Sequence, residues 1–198
     1  TVAWEVAPTT APTEALPSGS HVHYYVPEDM TYEGEGGLFQ TEVSKSTGAN
    51  RVKICLYLNN KTLTVPAYVY NGSGAIVNII GEGTVNSLLG DTCTFNLYGG
   101  TYVKAETSAF QSVISIDNNG GRIRVYKGAE ILCQPGENGI YVGTSNQIDS
   151  ELGIYGGVVT GGGGHKLDAL GSCCRAGSNL FLAKGYAVGI GNRAAALG

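Results

Sequence analysis

"NLYGGTYV", residues 96–103, sets two glycines between runs that otherwise alternate like strands, with a tyrosine on either side. A glycine within a strand weakens it, so a glycine pair that recurs in one place marks a corner where the strand stops. The phrase does recur, as "RVYKGAEI" (124–131), "GIYGGVVT" (153–160) and "FLAKGYAV" (181–188). Aligned on the central apolar residue, the repeat takes in Leu58, Ile79, Leu97, Val125, Ile154 and Leu182, and subtraction gives intervals of 21, 18, 28, 29 and 28 residues. Such spacing, irregular within a narrow range, belongs to stacked units joined by loops of variable length.

Within each unit the apolar residues before the glycine alternate: Phe95 and Leu97, Ile123 and Val125, Leu152 and Ile154, Leu180 and Leu182. A period of two describes a strand with one buried face. In four units a glycine follows the central residue by three, at Gly100, Gly128, Gly157 and Gly185. A corner needing positive φ explains that recurrence. No stretch of ten residues carries a glycine-free helical stripe, which disfavours a βαβ sheet. The reading is an all-β chain: a right-handed parallel β-helix (solenoid) of about six or more coils, its six central residues pointing inward in one column.

Composition agrees. In 198 residues, 42% are hydrophobic and 14% charged, enough to bury a core and unlike a disordered chain. Thirty-one glycines without a collagen period indicate short strands and many turns. The formal net charge of -4 with no basic cluster argues against a nucleic-acid partner. No apolar run approaches the roughly 18 residues of a membrane span. Residues 1–19, rich in Thr, Pro and Ala, read as an extended leader or linker, 20–52 as an N-terminal strand and loop cap, and 53–198 as the β-helix, stopping within its pattern as an excised or processed segment would.

The runs "ICLYLNNKTLTV", "GEGTVNS" and "NLYGGTYV" together resemble the opening coils of bacterial secreted or surface proteins with the pectin-lyase-like right-handed β-helix, and the likeness extends over roughly residues 50 to 190. The resemblance implies an extracellular or cell-surface location. For activity it implies little, because lyases, hydrolases, adhesins and phage tailspikes share this fold. Lyases of this kind hold calcium with clustered carboxylates, whereas Asp91, Glu106, Asp117, Glu130, Asp149 and Glu151 are dispersed here. The glycosidases pair aspartates with a Gly-His segment. "GGHKLDALG" (163–171) echoes it at His165 and Asp168 but lacks the aspartate pair before it and the Arg-x-Lys after it.

The remaining signals are local. Five cysteines, Cys55, Cys93, Cys133, Cys173 and Cys174, have no zinc-type Cys-x-x-Cys spacing and read mostly as small buried hydrophobes. "HVH" puts His21 and His23 on one face of a strand, a geometry that suits two metal ligands but is read first as a pair of exposed strand histidines. The sequence therefore nominates no catalytic residue, no metal and no cofactor. It nominates Tyr98, Tyr126 and Tyr155, each one residue after the central apolar position, as a ladder of rings on the opposite face, suited to stacking on sugars and bonding their oxygens. The expected function is a non-catalytic secreted or surface β-helix, a rigid scaffold or adhesin whose partner is a polysaccharide or host-surface glycan. A polysaccharide lyase or glycoside hydrolase and a tailspike-like protein are the alternatives.

Overall fold

The computed structural model describes residues 2–10, 12–33, 39–40, 51–65, 70–71, 75–91, 93–106, 112–117, 121–134, 138–142, 151–162, 171–176, 179–190 and 194–197. Among them every regular element is a strand and every strand pairing is parallel. Most strands pair with those three places earlier and later in the chain, the interval falling to two where the long strands Glu151–Gly162 and Asn179–Ile190 stand for pairs of shorter ones, so three ladders form. The first runs through Glu5–Val6, His21–Tyr25, Lys53–Tyr57, Ile76–Ile80, Thr94–Leu97, Arg122–Tyr126, the start of Glu151–Gly162, and Asn179–Ile190. The second holds Met30–Thr31, Lys61–Thr64, Gly83–Asn86, Gly100–Val103, Ala129–Ile131 and the later part of Glu151–Gly162. A separate seven-stranded sheet makes the third: Phe39–Gln40, Tyr70–Asn71, Leu88–Asp91, Ser112–Asp117, Asn138–Val142, Gly171–Ala176 and Ala194–Leu197. Because Glu151–Gly162 belongs to both of the first two ladders, these join as one 13-stranded sheet curled as a half-barrel.

Alternation sorts the side chains as a period of two requires. Leu56, Ile79, Leu97, Val125 and Ile154 are register partners in the first ladder and are fully buried. Beside them runs a second inward row, Ile54, Val77, Phe95, Ile123 and Leu152. Leu182 takes its backbone place opposite Ile154, with its side chain outside the described ones. The structure corrects the column at its first member: Leu56, not Leu58, stands beside Ile79. Leu58 is buried too, but at the corner, where a Cβ added to Gly83 would meet its Cβ at 2.8 Å. "ICLYL" offers three alternating apolar residues, and the first unit has no corner glycine to choose between them; Asn59 and Asn60 take positive φ there (55° and 58°). Asparagine tolerates that region better than other side chains.

The corners also differ in length. From the inward residue to its register-matched start in the second ladder, the chain takes five residues after Leu56 (to Lys61), four after Ile79 (to Gly83), three after Leu97 (to Gly100), four after Val125 (to Ala129) and three after Ile154 (to Gly157). Positive φ falls at Gly81, Gly83, Gly100, Gly128 and Gly156. The expectation for Gly157 is thus corrected to Gly156, whose φ is +109° beside a register shift at Tyr126. Gly157 is small for another reason: a Cβ there would run into Val125 and the carbonyl oxygens of Tyr126 and Ala129. Gly185 lies inside the strand Asn179–Ile190.

The ladder reaches further toward the N-terminus than Lys53. His21–Tyr25 pairs along its whole length with Lys53–Tyr57, and Glu5 and Val6 pair with Tyr24 and Tyr25. Ala7 is buried in the core cluster. Two buried hydroxyls find partners: that of Tyr102 donates to the Gly99 carbonyl at 2.9 Å, and Ser87 Oγ accepts from the Ala105 amide at 2.8 Å.

Gly128 has φ +102°, and a Cβ there would lie 3.2 Å from the Tyr98 carbonyl oxygen. Gly128→Val should therefore destabilise the protein by about 1–3 kcal/mol through backbone strain. Thermal or urea unfolding measures it, and an unchanged midpoint would remove the corner argument.

Candidate functional site

The outward face of the first ladder gathers the chain's aromatic and polar residues into three parallel rows. Strand pairing fixes their order, since register partners stand about 4.8 Å apart. One outer row is His21, Lys53, Ile76, Thr94, Arg122 and Glu151. The middle row is His23, Cys55, Asn78, Asn96, Arg124 and Gly153. The third continues from Tyr25, Tyr57 and Ile80 to Tyr98, Tyr126 and Tyr155.

The three tyrosines nominated by the sequence do come together. Tyr98 and Tyr126 stack with centroids 4.5 Å apart and planes 10° from parallel, and Tyr126 and Tyr155 stack at 5.4 Å and 22°. Tyr98 is 45% exposed, and the other two are half-buried. Because each ring faces its neighbour, the flat faces are largely used within the stack, and the Tyr155 ring lies over Gly153 with its hydroxyl toward Glu151. Burial raises the Tyr98 phenol above its ordinary value, assisted by Tyr126 beside it, and burial followed by the Glu151 charge raises that of Tyr155. Both hydroxyls therefore stay protonated, and able to donate, at neutral pH.

The middle row supplies amides and a cation. Asn96 Nδ2 donates to Asn78 Oδ1 at 2.9 Å, and Asn78 Nδ2 points to Cys55 Sγ at 3.8 Å. Asn96 Oδ1 is buried with no hydrogen-bond partner. Arg124 donates to both oxygens of Glu151, at 2.6 and 2.9 Å, and Tyr155 adds a longer bond at 3.4 Å. The hydrogen bonds from Arg124 hold the Glu151 carboxyl below its ordinary range, with Arg122 adding its charge from 3.7 Å. A carboxylate so committed is a poor proton donor.

At the N-terminal end the tyrosine row borders an open groove of about 540 Å³, lined by Trp4, Tyr25, Tyr57, Asn59 and Ile80. That size lies within the usual range for small-ligand sites. Trp4 lies edge-on to His23 (5.1 Å) and to Tyr57 (6.0 Å). The groove itself was not legible from the repeat, because it needs a residue of the Thr/Pro/Ala-rich leader seated beside the second, third and fourth strands of the ladder. His165 and Asp168 lie outside the described residues.

Sequence reasoning also missed Cys55 as a neighbour of the histidines. Cys55 is the register partner of His23, and its Sγ lies 3.6 Å from His21 Nε2. Desolvation, then the charges of His23 and Lys53, lowers the His21 pKa. No helix among the described residues is long and apolar enough to cross a membrane. The chain matches no protein-family profile, no curated protein and no solved structure.

The Arg124–Glu151 pair makes stability depend on pH. A carboxyl with a depressed folded-state pKa stabilises fully above its unfolded value, and that contribution disappears as pH falls through the folded value. Glu151→Gln should lower stability at pH 7 by about 1 kcal/mol or less, since solvent screens the half-buried pair. The gap between wild type and variant should close as pH falls below the ordinary carboxylate range. Urea melts from pH 7 down to pH 3 measure this, and a gap independent of pH would contradict it.

Proposed function

We propose that the chain winds as a right-handed parallel β-helix of the pectin-lyase-like kind and serves as a secreted or cell-surface scaffold of adhesin type, binding polysaccharide along its tyrosine face without cutting it. The observation that carries this reading is the continuous stack of Tyr98, Tyr126 and Tyr155 beside the amide and guanidinium row of Asn78, Asn96 and Arg124. A ladder in which most strands pair with those three places away is what successive coils produce. The tyrosines repeat every 4.5 to 5.4 Å, comparable with the length of one hexose in an extended polysaccharide. Successive sugars would thus meet successive tyrosines, with the partly exposed Arg124 guanidinium beside them.

Binding without cleavage follows from the state of the face. Glycoside hydrolysis needs one protonated and one ionised carboxyl flanking a bond. The carboxylate beside these tyrosines, Glu151, is held ionised in a bidentate pair with Arg124. Each exposed ring contributes little alone, so affinity comes from several rings engaging one chain.

Tyr126 stacks on both neighbours, so Tyr126→Ala breaks both contacts. It should weaken polysaccharide binding on the order of tenfold, about 1.4 kcal/mol, and more than Tyr98→Ala or Tyr155→Ala. A glycan array finds the ligand, titration ranks the variants, and a reducing-sugar and unsaturated-product assay on the same preparation tests for cleavage. Product release would replace this reading with a lyase or hydrolase. Silence in both assays would leave a scaffold without a glycan site.

A further inference from the structure

We propose that His21, His23 and Cys55 form a binding site for a thiophilic divalent cation, Zn²⁺ in the first instance, with a fourth position open to water. Their ligand atoms all lie within 4.8 Å of one another, on two adjacent parallel strands. His21 and His23 share a face by the two-residue period, with ring centroids 4.5 Å apart, and register places Cys55 beside His23.

The spacing suits the metal. Zinc holds thiolate sulfur at about 2.3 Å and imidazole nitrogen at about 2.0–2.1 Å, so two such ligands at a tetrahedral angle lie roughly 3.6 Å apart. His21 Nε2 and Cys55 Sγ are separated by 3.6 Å. His23 Nδ1 is buried with no hydrogen-bond partner. Buried polar atoms rarely go unpartnered, and a cation at this imidazole would meet that need. Asn78 Nδ2, 3.8 Å from Cys55 Sγ, is placed to donate to a metal-bound thiolate, the kind of outer contact that tunes such sites. His21 is exposed, which gives the ion a path from solvent.

Neutral imidazole is the ligating form. On binding, the Cys55 thiol loses its proton to solvent and its sulfur pairs with the metal. Lys53, the register partner of His21, opposes the incoming charge, and the new thiolate offsets it. Two histidines with one thiolate place the site among those for zinc and copper, away from the oxygen ligands preferred by calcium and magnesium. The site shares only Asn78, an outer contact, with the proposed glycan face and differs from it in chemistry, so either can fail alone.

Trp4 supplies an internal probe, being the single tryptophan of the chain and 5.1 Å from the His23 ring. Reduced, metal-free full chain should be titrated with Co²⁺. The expected result is one equivalent bound, a thiolate-to-cobalt charge-transfer band and quenching of Trp4 fluorescence, with Zn²⁺ displacing the cobalt. Cys55→Ser and His21→Gln should each weaken Zn²⁺ by more than the roughly 10–100-fold that losing an outer contact costs, while Cys173→Ser/Cys174→Ser should bind as wild type. His21 is exposed, so its replacement keeps the test valid if the Cys55 variant fails to fold. Absence of saturable one-to-one binding, wild-type affinity in His21→Gln, or loss only in the Cys173/Cys174 variant would overturn the proposal.

Discussion

The structure depends on one constraint: parallel strands in register, each giving its amides and carbonyls to the strand before and the strand after. Interior backbone groups must be paired, and here the ladder continues even around the corners, as where the Tyr98 amide donates to the Ile79 carbonyl at 2.8 Å and the Leu58 amide to that of Ile80 at 3.0 Å. Register then turns every position into a column. Whatever side chain one strand presents must lie against its counterpart about 4.8 Å away. Inward, aliphatic residues satisfy this by packing. Outward, it favours residues that stack on their own kind, and the face carries three tyrosines and two asparagines doing so.

The same constraint explains what could be read from the sequence. Alternation and recurrence disclosed the strands, the inward residues from Ile79 to Ile154 and the tyrosine ladder, because each depends on a pattern repeated in several units. The misreadings occur where one unit departs from the others. Leu58 took the place of Leu56 because the first corner uses asparagines. Gly157 took the place of Gly156 because the pairing shifts register at Tyr126, which faces both Tyr155 and Gly156. A fixed offset cannot follow a corner whose register shifts, although the requirement for positive φ survives the change.

The candidate site was legible only along the ladder. That Tyr98, Tyr126 and Tyr155 share a row follows from the repeat. That their planes turn toward one another is a matter of side-chain angles, which the repeat leaves open. Cys55 beside His23 carried a usable signal: aligning "HVHYY" on "KICLY" by their inward pairs, Val22 with Ile54 and Tyr24 with Leu56, superposes the two residues. The signal went unread because the first five-residue strand lies ahead of the glycine repeat, where nothing in the sequence marks it as a further unit. Trp4 had no period at all, and its position rests on the two-residue pairing of Glu5–Val6 with Tyr24 and Tyr25.

Contacts beyond strand pairing also hold this part of the structure. Trp4 lies edge-on to His23 and Tyr57, Ala7 enters the core, and the Asp29 carboxylate accepts the Thr62 amide at 2.7 Å. The His21, His23 and Cys55 cluster spans two paired strands, so a cation there would tie them together. Aromatic contacts and these three candidate ligands gather around the first strands of the ladder, while the tyrosine stack and the Asn78–Asn96 pair run along its later ones.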